Sequence, residues 1–585
     1  MIKNDVAIMI GGRAGDGSLV TGEILAKVLA QSGLDVFTVK DFPSNIRGLP
    51  TSYTIRAKDR PIMARKDHVD ILLALDEEAV KLRSSELPSD GVLIYDDSRG
   101  EDPEWDGEGV HLYKVPLRNL AVDNLGGSRA EIFKNAISLG VLAHLLSIDE
   151  EIVRKVTAKE FARKGDVIVQ KNMQAISLGV NYADEHLEKT DPYVLEGREK
   201  GDRLLVMGDW AIGYGALVAG CRFYAGYPIT PATEIMEWLA SHMPAYDGVV
   251  IQAEDEIAAV TMVIGAAYAG VRSMTGTSGP GAALMTEAIS MAGMAEIPLV
   301  LVHGQRAGPG TGLPTKTEQA DLKHALFAAH GDFPRIVIAP GSVEEAFYMT
   351  ASAFNLAEVF QCPVILLTEQ ALCQNKQTIP RFDLSRVSVD RGKLLNQAID
   401  VKVAADGGAF KRYRLTEDGI SPRPIPSLEG GVYESTSVEH DEEGYTTEDP
   451  TLRKAMMEKR MKKLEAATPY LPPPVLHGDP SSRLALIGYG YTTGAILEAM
   501  ETLDAQGVST KYVQLRTLWP FQREEVRDLL TSLDHLVVVE HNYSGQLSFL
   551  LPSLVGSVAP ISSIRRYDGR LFTPGEIVSG VRGVV

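Results

Sequence analysis

Strand-like apolar runs alternate with helical segments in three separate series along this chain of 585 residues. The series span residues 1–190, 204–380 and 481–585. Such alternation is typical of βαβ units, in which the strands build a parallel sheet and the helices cover it. A chain of this length is also too long for one hydrophobic core. We therefore predict an α/β fold with three α/β domains.

Two segments interrupt this alternation. Residues 191–203 are charged, contain Pro192 and lack periodicity, which predicts a linker. Residues 381–480 contain the proline-rich stretch Ser421–Pro426, an acidic run at Glu439–Glu443 and three consecutive prolines. These features predict an ordered connector rather than a domain with its own core.

The charge and the cysteine content narrow the class of protein. The 58 basic and 77 acidic residues give a net charge of −19, which opposes binding to a nucleic-acid backbone. No apolar run reaches the ~18 residues that a membrane span needs, and Met1–Asp5 does not begin a signal peptide. The three cysteines are widely spread and lack metal-binding spacing. We therefore expect a cytoplasmic protein without a metal site in this chain.

The segment Tyr227–Pro231 follows a predicted strand and forms a rigid corner, because Pro228 and Pro231 fix two backbone φ angles. Thr230 lies inside the corner, where its hydroxyl is displayed. Loops beyond the carboxyl ends of parallel strands commonly bind ligands, so Tyr227 and Thr230 are candidate ligand contacts. Taken alone, a stiff turn without a ligand explains the segment at least as well.

Three carboxylates, Glu254, Asp255 and Glu256, lie where the next predicted strand is followed by an apolar helix. The amide dipole at a helix N-terminus stabilises a carboxylate. The alanine, valine, isoleucine and methionine residues that follow indicate a buried helix, so we expect at least one carboxylate in a dry environment suited to proton transfer. Acids that face water at the start of a helix are the alternative.

Two further loops follow predicted strands. In Thr275–Gly281 the glycines allow a planar ring or an anion to approach the backbone, although a structural loop is the alternative. Its candidate ligand contacts are Gly276, Thr277, Gly279 and Pro280. Arg306 ends the following strand, and its planar guanidinium suits a substrate carboxylate. Thr315 and Lys316, further along, offer a hydroxyl and an ammonium donor.

Taken together and in this order, these segments resemble the α subunit of 2-oxoacid:ferredoxin oxidoreductases. The connector is similar to the family through Gly419–Arg423 and Glu439–Gly444. The last part resembles the final domain of transketolases through Leu515–Pro520 and Val537–Glu540. The first 190 residues resemble the γ subunit of the same enzymes, fused ahead of the α part. The resemblance implies a γ-type domain (1–190), a pyrimidine-binding thiamine-enzyme domain (204–380) and a transketolase C-terminal-like domain (481–585).

The resemblance also implies roles for the candidate residues. Glu256 is similar to the glutamate that hydrogen-bonds the aminopyrimidine ring of thiamine diphosphate, with Glu254 as a further cofactor contact. Thr230 and Arg306 are similar to the pair that holds the carboxylate and keto group of the oxoacid. Selectivity for a distal carboxylate would then be set by Thr315 and Lys316.

The γ-like part is similar to the family through Gly11–Gly17 and Ser44–Gly48. Its glycine spacing differs from the dinucleotide-binding fingerprint. The resemblance associates this domain with coenzyme A, and the candidate contacts are Gly12, Gly15, Gly17, Ser44 and Arg47. A domain that only supports the assembly is the alternative.

Two parts that the family reaction requires are missing from the sequence. Gly15-Asp16-Gly17 has the wrong surroundings for the motif that holds Mg²⁺ and the diphosphate. Three scattered cysteines cannot hold a four-iron cluster, which needs four thiolates. The resemblance therefore implies a β subunit that carries the Mg²⁺–diphosphate site and a [4Fe-4S] cluster. It implies that this subunit shares the thiamine diphosphate and docks ferredoxin, in an (αβ)₂ assembly.

The resemblance predicts oxidative decarboxylation of a 2-oxoacid with coenzyme A, giving an acyl-CoA, CO₂ and reduced ferredoxin, or the reverse carboxylation. The γ–α fusion favours 2-oxoglutarate, with pyruvate and branched-chain 2-oxoacids as alternatives. Two other classes stay open. One is a non-redox thiamine enzyme of the transketolase kind, and the other is a catalytically silent assembly subunit.

Overall fold

The structure is a computed structural model that describes residues 2–43, 50–100, 105, 107–397 and 410–584. The chain forms two compact units. The first consists of Met1–Val206, Gln374–Arg381 and Thr573–Glu576, and the second of Met207–Cys373, Phe382–Phe572 and Ile577–Val585. The three predicted domain boundaries stay a prediction, because one compact unit can contain more than one domain. None of the helices in the described ranges has the length and hydropathy of a membrane span.

The first unit is built on an eight-stranded sheet with a separate pair of short strands. The strands are β1 (Ile2–Lys3), β2 (Asp5–Arg13), β3 (Asp35–Asp41), β4 (Pro50–Lys58), β5 (Ile71–Ala74), β6 (Val92–Asp96), β7 (His111–Val115), β8 (Tyr193–Val194), β9 (Arg203–Met207) and, from later in the chain, β16 (Lys376–Pro380). The sheet has the order β7-β6-β5-β2-β4-β3-β16-β9, and β1 pairs with β8. The helices are α1 (Ser18–Gln31), α2 (Glu77–Arg83), α3 (Leu117–Leu125), α4 (Lys134–Leu145), α5 (Glu150–Phe161) and α6 (Asp166–His186).

This first sheet is mixed, whereas the sequence predicted a parallel sheet. Strand β4 runs antiparallel to both β2 and β3, and β16 runs antiparallel to β3. The physical reason is the short connection between β3 and β4, residues 42–49, which is too short for the crossover helix that a parallel pair requires. The predicted linker 191–203 contains β8, which pairs with β1.

The second unit contains a seven-stranded sheet. Its strands are β10 (Phe223–Gly226), β11 (Val249–Gln252), β12 (Ser273–Ser278), β13 (Leu299–Gln305), β14 (Ile336–Ile338), β15 (Pro363–Glu369) and β22 (Thr517–Trp519), in the order β11-β10-β12-β13-β15-β14-β22. They are parallel except for β22, which runs antiparallel to β14. The accompanying helices are α7 (Gly208–Val218), α8 (Thr233–His242), α9 (Glu256–Tyr268), α10 (Gly279–Leu284), α11 (Thr286–Met294), α12 (Leu322–Phe327), α13 (Val343–Phe360) and α14 (Gln370–Gln374).

A five-stranded sheet and the connector complete the second unit. Their strands are β17 (Leu394–Leu395), β18 (Arg423–Pro424), β19 (Val475–Gly478), β20 (Leu484–Tyr489), β21 (Lys511–Leu515), β23 (His535–Glu540) and β24 (Ile561–Arg565). The sheet has the order β19-β21-β20-β23-β24, and β17 pairs separately with β18. The helices are α15 (Pro450–Ala467), α16 (Thr492–Ala505), α17 (Arg523–Leu529), α18 (Gln546–Val555) and α19 (Pro574–Arg582), whose first three residues belong to the first unit. A single apolar cluster joins both sheets, with Val337 and Val538 among its members.

Buried ion pairs attach the connector helix α15 to the rest of the second unit. The Glu296 carboxylate, which is fully buried, pairs with Lys459 at 2.5 Å and with Lys463. Arg412 donates to the Glu296 carbonyl at 2.7 Å. Burial alone would raise the pKa of Glu296, but the two ammonium groups outweigh it and hold the pKa well below its usual range. The carboxylate is therefore charged and fixed between cations.

Candidate functional site

Four segments that the sequence singled out meet at one edge of the seven-stranded sheet. The strands β11, β10, β12 and β13 are consecutive neighbours in this sheet and run parallel. Their carboxyl ends therefore lie side by side. The turn Tyr227–Pro231 follows β10, Glu256 begins the helix after β11, Gly279 begins the helix after β12, and Arg306 directly follows β13. Ligands in such sheets bind beyond the carboxyl ends of the strands.

Glu256 is the buried carboxylate of the acidic segment. Asp255 caps helix α9 by accepting a hydrogen bond from Ala258 N at 2.7 Å, and Glu256 is the first residue of the helix. Glu256 is only 6% exposed, whereas Glu254 is exposed. A Cβ atom on Gly281 would lie 2.6 Å from Glu256 Oε1 and closer still to Thr277 Oγ1. A glycine at 281 therefore allows this carboxylate to lie against the start of helix α10, beside Thr277.

The glycine segment differs from the predicted loop. Gly276 and Thr277 belong to strand β12, and Gly279 and Pro280 form the first turn of helix α10. The predicted loop extended to Gly281, whereas the helix already begins at Gly279. It begins earlier because proline is well accommodated in the first turn, where its missing N–H costs nothing. A Cβ atom on Gly276 would lie 3.0 Å from the Tyr224 hydroxyl, so the glycine permits a close strand contact.

Arg306 joins two of the predicted segments directly. Its Nη1 donates a hydrogen bond of 2.9 Å to the carbonyl oxygen of Thr230. The side chain is 7% exposed, and burial lowers its pKa, with Asp321 opposing the change. The guanidinium stays charged, since arginine does not lose its proton in proteins. A buried cation therefore lies next to the turn that contains Thr230, which is half-buried and is followed by a cis peptide to Pro231.

Unsatisfied polar atoms gather at this edge. Thr275 Oγ1, Thr277 Oγ1, Ser278 Oγ and Arg306 Nε are buried and have no hydrogen-bond partner within the described part of the chain. The first three atoms belong to strand β12, and Arg306 directly follows the neighbouring strand β13. Buried polar groups in native proteins are almost always paired, so a group of unpaired ones indicates a site for a polar ligand.

The remaining substrate candidates lie around this cluster. Tyr227 is 41% exposed, and Thr315 is buried, whereas Lys316 is partly exposed. Thr315 and Lys316 belong to the substrate loop, which we define as residues 306–318. This loop is closed on itself, because Ala307 N donates to Lys316 O at 3.0 Å and Leu313 N donates to Ala307 O at 3.0 Å.

Sequence reasoning missed Asp321, Gln319 and Glu369. His303 Nε2 lies 3.1 Å from Asp321 Oδ2, and a Cβ atom on Gly279 would lie 2.5 Å from the same oxygen. Glu369 ends strand β15 next to β13. The rule that identified Arg306, a polar residue at the carboxyl end of a buried strand, would also have identified Glu369. Asp321 and Gln319 follow a long loop and had no local signal.

The first unit holds part of the candidate coenzyme A site. Gly12 lies near the end of β2, and Gly15 and Gly17 have φ of 101° and 85° in the turn before α1. A Cβ atom on Gly17 would clash with Asn135 Nδ2, so the tight turn requires glycine there. Ser44 and Arg47 lie outside the described residues.

Comparison with family models covers nearly all of the chain. Residues 214–459 match "Pyruvate flavodoxin/ferredoxin oxidoreductase, thiamine diP-bdg", residues 7–182 match "Pyruvate ferredoxin/flavodoxin oxidoreductase", and residues 483–577 match "Pyruvate:ferredoxin oxidoreductase core domain II". Subunit alpha of 2-oxoacid:ferredoxin oxidoreductase 2 from Aeropyrum pernix is 34% identical over 99% of this chain and 98% of its own length. The chain belongs to the 2-oxoacid:ferredoxin oxidoreductase family.

Other members of the family agree in sequence and structure. The 2-oxoglutarate oxidoreductase subunit KorA of Mycobacterium tuberculosis is 30% identical over 99% of this chain and 92% of its own length. The 2-oxoglutarate:ferredoxin oxidoreductase from Magnetococcus marinus, with 2-oxoglutarate, coenzyme A and succinyl-CoA bound, matches with a TM-score of 0.92 and 34% identity over 100% of both chains. The predicted family, α/β fold class and enzyme class are therefore confirmed.

The residues at the sheet edge fit the cofactor of this 2-oxoacid:ferredoxin oxidoreductase family. The thiamine-diphosphate-binding match at 214–459 contains Glu256, Thr277, Ser278 and Arg306. The carboxylate of Glu256 lies against Gly281 at the start of helix α10, and the neighbouring hydroxyls lack partners in the described ranges. A ring with nitrogen donors and acceptors would satisfy such groups.

Proposed function

We propose that this chain, together with a β subunit, converts 2-oxoglutarate, coenzyme A and oxidised ferredoxin into succinyl-CoA, CO₂ and reduced ferredoxin. The observation that carries the proposal is the cluster of unpaired polar atoms on Thr277, Ser278 and Arg306, in the described part of the chain, beside the buried Glu256. The bound compounds of the Magnetococcus marinus enzyme support the choice of substrate. The name of the Mycobacterium tuberculosis relative supports it as well.

Each site residue has a distinct part in this proposal. Bound thiamine diphosphate supplies an electron sink for the decarboxylation of a 2-oxoacid. Glu256 binds the pyrimidine ring and exchanges a proton with it at its carboxylate oxygen. Arg306 binds the carboxylate next to the keto group through Nε, which is buried without a partner in the described part of the chain, while Nη1 holds the carbonyl of Thr230. Burial strengthens this ion pair by lowering the local dielectric constant.

The remaining contacts determine which oxoacid binds and how it is oriented. Thr230 donates its hydroxyl to the oxoacid, and Tyr227 covers it from the exposed side of the turn. Lys316 and Thr315 bind the distal carboxylate that distinguishes 2-oxoglutarate from pyruvate and from branched-chain 2-oxoacids. Glu254, the exposed acid of the segment, contributes only at the rim of the cofactor site.

The partner requirement follows from what this chain contains. Cys221, Cys362 and Cys373 are fully buried free thiols, and three thiols do not make a four-iron cluster. The β subunit therefore carries the [4Fe-4S] cluster, the Mg²⁺–diphosphate site and the ferredoxin-docking surface. In this proposal coenzyme A contacts the glycine turn Gly15–Gly17 of the first unit. The assembly is an (αβ)₂ heterotetramer.

An anaerobic viologen-reduction assay of the co-purified complex tests the proposal. We expect reduction with 2-oxoglutarate and coenzyme A, and a fall of roughly 10²- to 10⁴-fold in Glu256→Gln, the range that a positioned proton-transfer group contributes. Glu237→Gln, an exposed acid of helix α8, is the control that should match the native rate.

Each alternative has its own outcome in this assay. Faster reduction with pyruvate or a branched-chain oxoacid would reassign the substrate. Absence of iron and sulfide from the complex would support a non-redox thiamine enzyme. Full activity in Glu256→Gln would contradict the assigned role and favour a silent assembly subunit.

A further inference from the structure

Both ends of the substrate loop lie next to one buried carboxyl group, that of Glu369. The first residue of the loop follows Gln305, whose Cα partner in the parallel register is Glu369, the last residue of β15. Its last residue is followed directly by Gln319, whose Nε2 donates a hydrogen bond of 2.7 Å to Glu369 Oε1. Glu369 is thus in contact with the chain at both ends of the loop.

Gln319 is held by a closed set of hydrogen bonds. Its Nε2 also donates to the carbonyl of Tyr489 at 2.8 Å, and its Oε1 accepts from His541 N at 3.2 Å. Its backbone N–H donates to His541 O at 2.7 Å. Tyr489 and His541 contribute backbone atoms, whereas Glu369 contributes a side chain. Asn542 Nδ2 also donates to the carbonyl of Gln319 at 3.2 Å, so Glu369 is the removable partner that holds the side chain of Gln319.

Neutral groups surround Glu369 in the described part of the chain. The residue is 0% exposed, and its Oε2 accepts from Tyr491 N at 3.3 Å. The titratable groups that face it are Cys373, Tyr489, Tyr491 and Tyr512, all of which are neutral acids with raised pKa. Burial raises the pKa of Glu369 to about 8, although the bonds from Gln319 and Tyr491 oppose the rise.

We propose that Glu369 is a positioning residue for the oxoacid. Its carboxyl group anchors Gln319 and so fixes the end of the substrate loop that presents Thr315 and Lys316. The inference rests on the proposed function, because it assigns a role to a loop that contacts substrate. Glu369 itself lies behind the loop and touches neither oxoacid nor cofactor in this proposal.

The strength of the contact between Glu369 and Gln319 depends on pH. Burial raises the pKa of Glu369 to about 8, and the hydrogen bond from Gln319 opposes this rise because it favours the charged carboxylate. Release of the loop would remove that bond, so the anchored state binds fewer protons than the released state. The anchoring free energy is therefore larger above about pH 8 and decreases as the pH falls through that value. The KM for the oxoacid should fall as the pH rises over this window.

The test is steady-state kinetics of the αβ complex with 2-oxoglutarate between pH 6 and pH 9. Glu369→Ala should raise the KM for the oxoacid by about tenfold, the effect of one lost hydrogen bond, and leave kcat and the KM for coenzyme A near native. Gln319→Ala should do the same, and the double variant should add little, because both changes remove one interaction. Glu369→Gln retains a neutral acceptor, so it should stay near native at pH 7 and lose the fall of KM with rising pH.

A matched control is Glu358→Gln. Glu358 is another buried carboxylate of the second unit, but it pairs with Arg423 at 2.9 Å and with Arg391 at 3.1 Å in the connector. We expect a lower melting temperature and an unchanged KM for the oxoacid. If Glu369→Ala does not assemble with the β subunit, Gln319→Ala and Glu369→Gln still decide the result.

Several outcomes would overturn the proposal. These are a native KM in Gln319→Ala, additive effects in the double variant, or the same pH dependence in Glu369→Gln as in the native enzyme. Should no oxoacid be oxidised by the native complex, the proposed function fails, while trypsin cleavage after Arg306 and Lys316 still tests the anchor. Faster cleavage there in Gln319→Ala supports the anchor, and unchanged cleavage contradicts it.

Discussion

At the scale of single residues, Arg306 shows how one side chain defines the ligand. A buried guanidinium is costly unless its hydrogen-bonding groups are satisfied. Its Nη1 is bound to the carbonyl of Thr230, whereas Nε has no partner in the described part of the chain. A planar anion beside Nε would satisfy this donor, and arginine commonly binds carboxylates through such planar contacts.

Substitution of Arg306 by lysine tests this role. A lysine ammonium keeps the charge but cannot bind Thr230 and a carboxylate with a planar fork. We expect the KM for the oxoacid to rise by about 10- to 100-fold, the effect of losing a hydrogen bond to a charged group. The measurement is viologen reduction over a range of oxoacid concentrations.

The control is Arg335→Lys, a buried arginine that lies over the ring of Phe333. It should change stability without changing the KM. An unaltered KM in Arg306→Lys would show that the oxoacid carboxylate binds elsewhere.

Sequence reasoning worked best for residues with a local signal. The acidic segment pointed to three carboxylates, and the structure buries Glu256 while it leaves Glu254 exposed. Only the family resemblance had favoured Glu256, because position in a sequence does not tell which side of a helix start faces the core. Gln319 and Glu369 were missed because their contact joins residues that are far apart in the chain.

At the scale of secondary-structure elements, helix α15 shows how the connector is held. Its Lys459 and Lys463 reach the fully buried Glu296, which follows helix α11. Burial lowers the pKa of Lys459 to about 7, although the Glu296 carboxylate opposes the change. The helix is thus attached through a charge cluster in addition to its apolar contacts.

Removing the shared carboxylate should release this helix. In Glu296→Gln two buried lysines lose their counter-charge, and loss of one partner from a buried ion pair costs about 3–5 kcal/mol. We expect a lower melting temperature and faster trypsin cleavage within residues 450–467. Glu465→Gln, an exposed acid of the same helix, should change the stability by less than about 0.5 kcal/mol. Equal stability of the two variants would contradict the assignment.

The strands and helices were largely predictable, but the order of the sheets was not. The apolar periodicity predicts a helix over Ser18–Gln31 and a strand over Val249–Gln252. Helix α1 and strand β11 have these bounds, because apolar periodicity is a local property. The antiparallel direction of β4 and the pairing of β16 with β3 had no such signal. Register between strands depends on contacts that sequence periodicity does not record.

At the scale of the whole molecule, an apolar face borders the candidate site. Leu284 is 52% exposed, Ile257 is 49% exposed, and Met262 is 41% exposed. A groove of about 480 Å³ lies next to them, with Ile257, Leu284 and Met291 in its lining. Since Ile257 directly follows Glu256, we expect the β subunit to cover this face and complete the site.

Leu284→Arg tests this surface. An arginine there would place a charge in the interface with the β subunit, so we expect loss of the co-purified β subunit and of oxoacid oxidation. The folded α chain should keep its melting temperature, because the side chain is half exposed. Val167→Arg, at a 70% exposed position of helix α6, is the matched control and should retain the β subunit. Unchanged recovery of the β subunit with Leu284→Arg would contradict the prediction.

The strand β16 limits how the first unit can be separated from the rest of the polypeptide. This unit draws on three stretches of chain, and Lys376–Pro380 lies between β3 and β9 in its sheet. A fragment that ends at residue 206 would lack that strand and would leave the backbone groups of β3 open to pairing with other molecules. The first unit is therefore not contiguous in the chain. Exchange of this unit between proteins would require a replacement for strand β16. That strand begins at residue 376, about 170 codons after the end of strand β9 at residue 207.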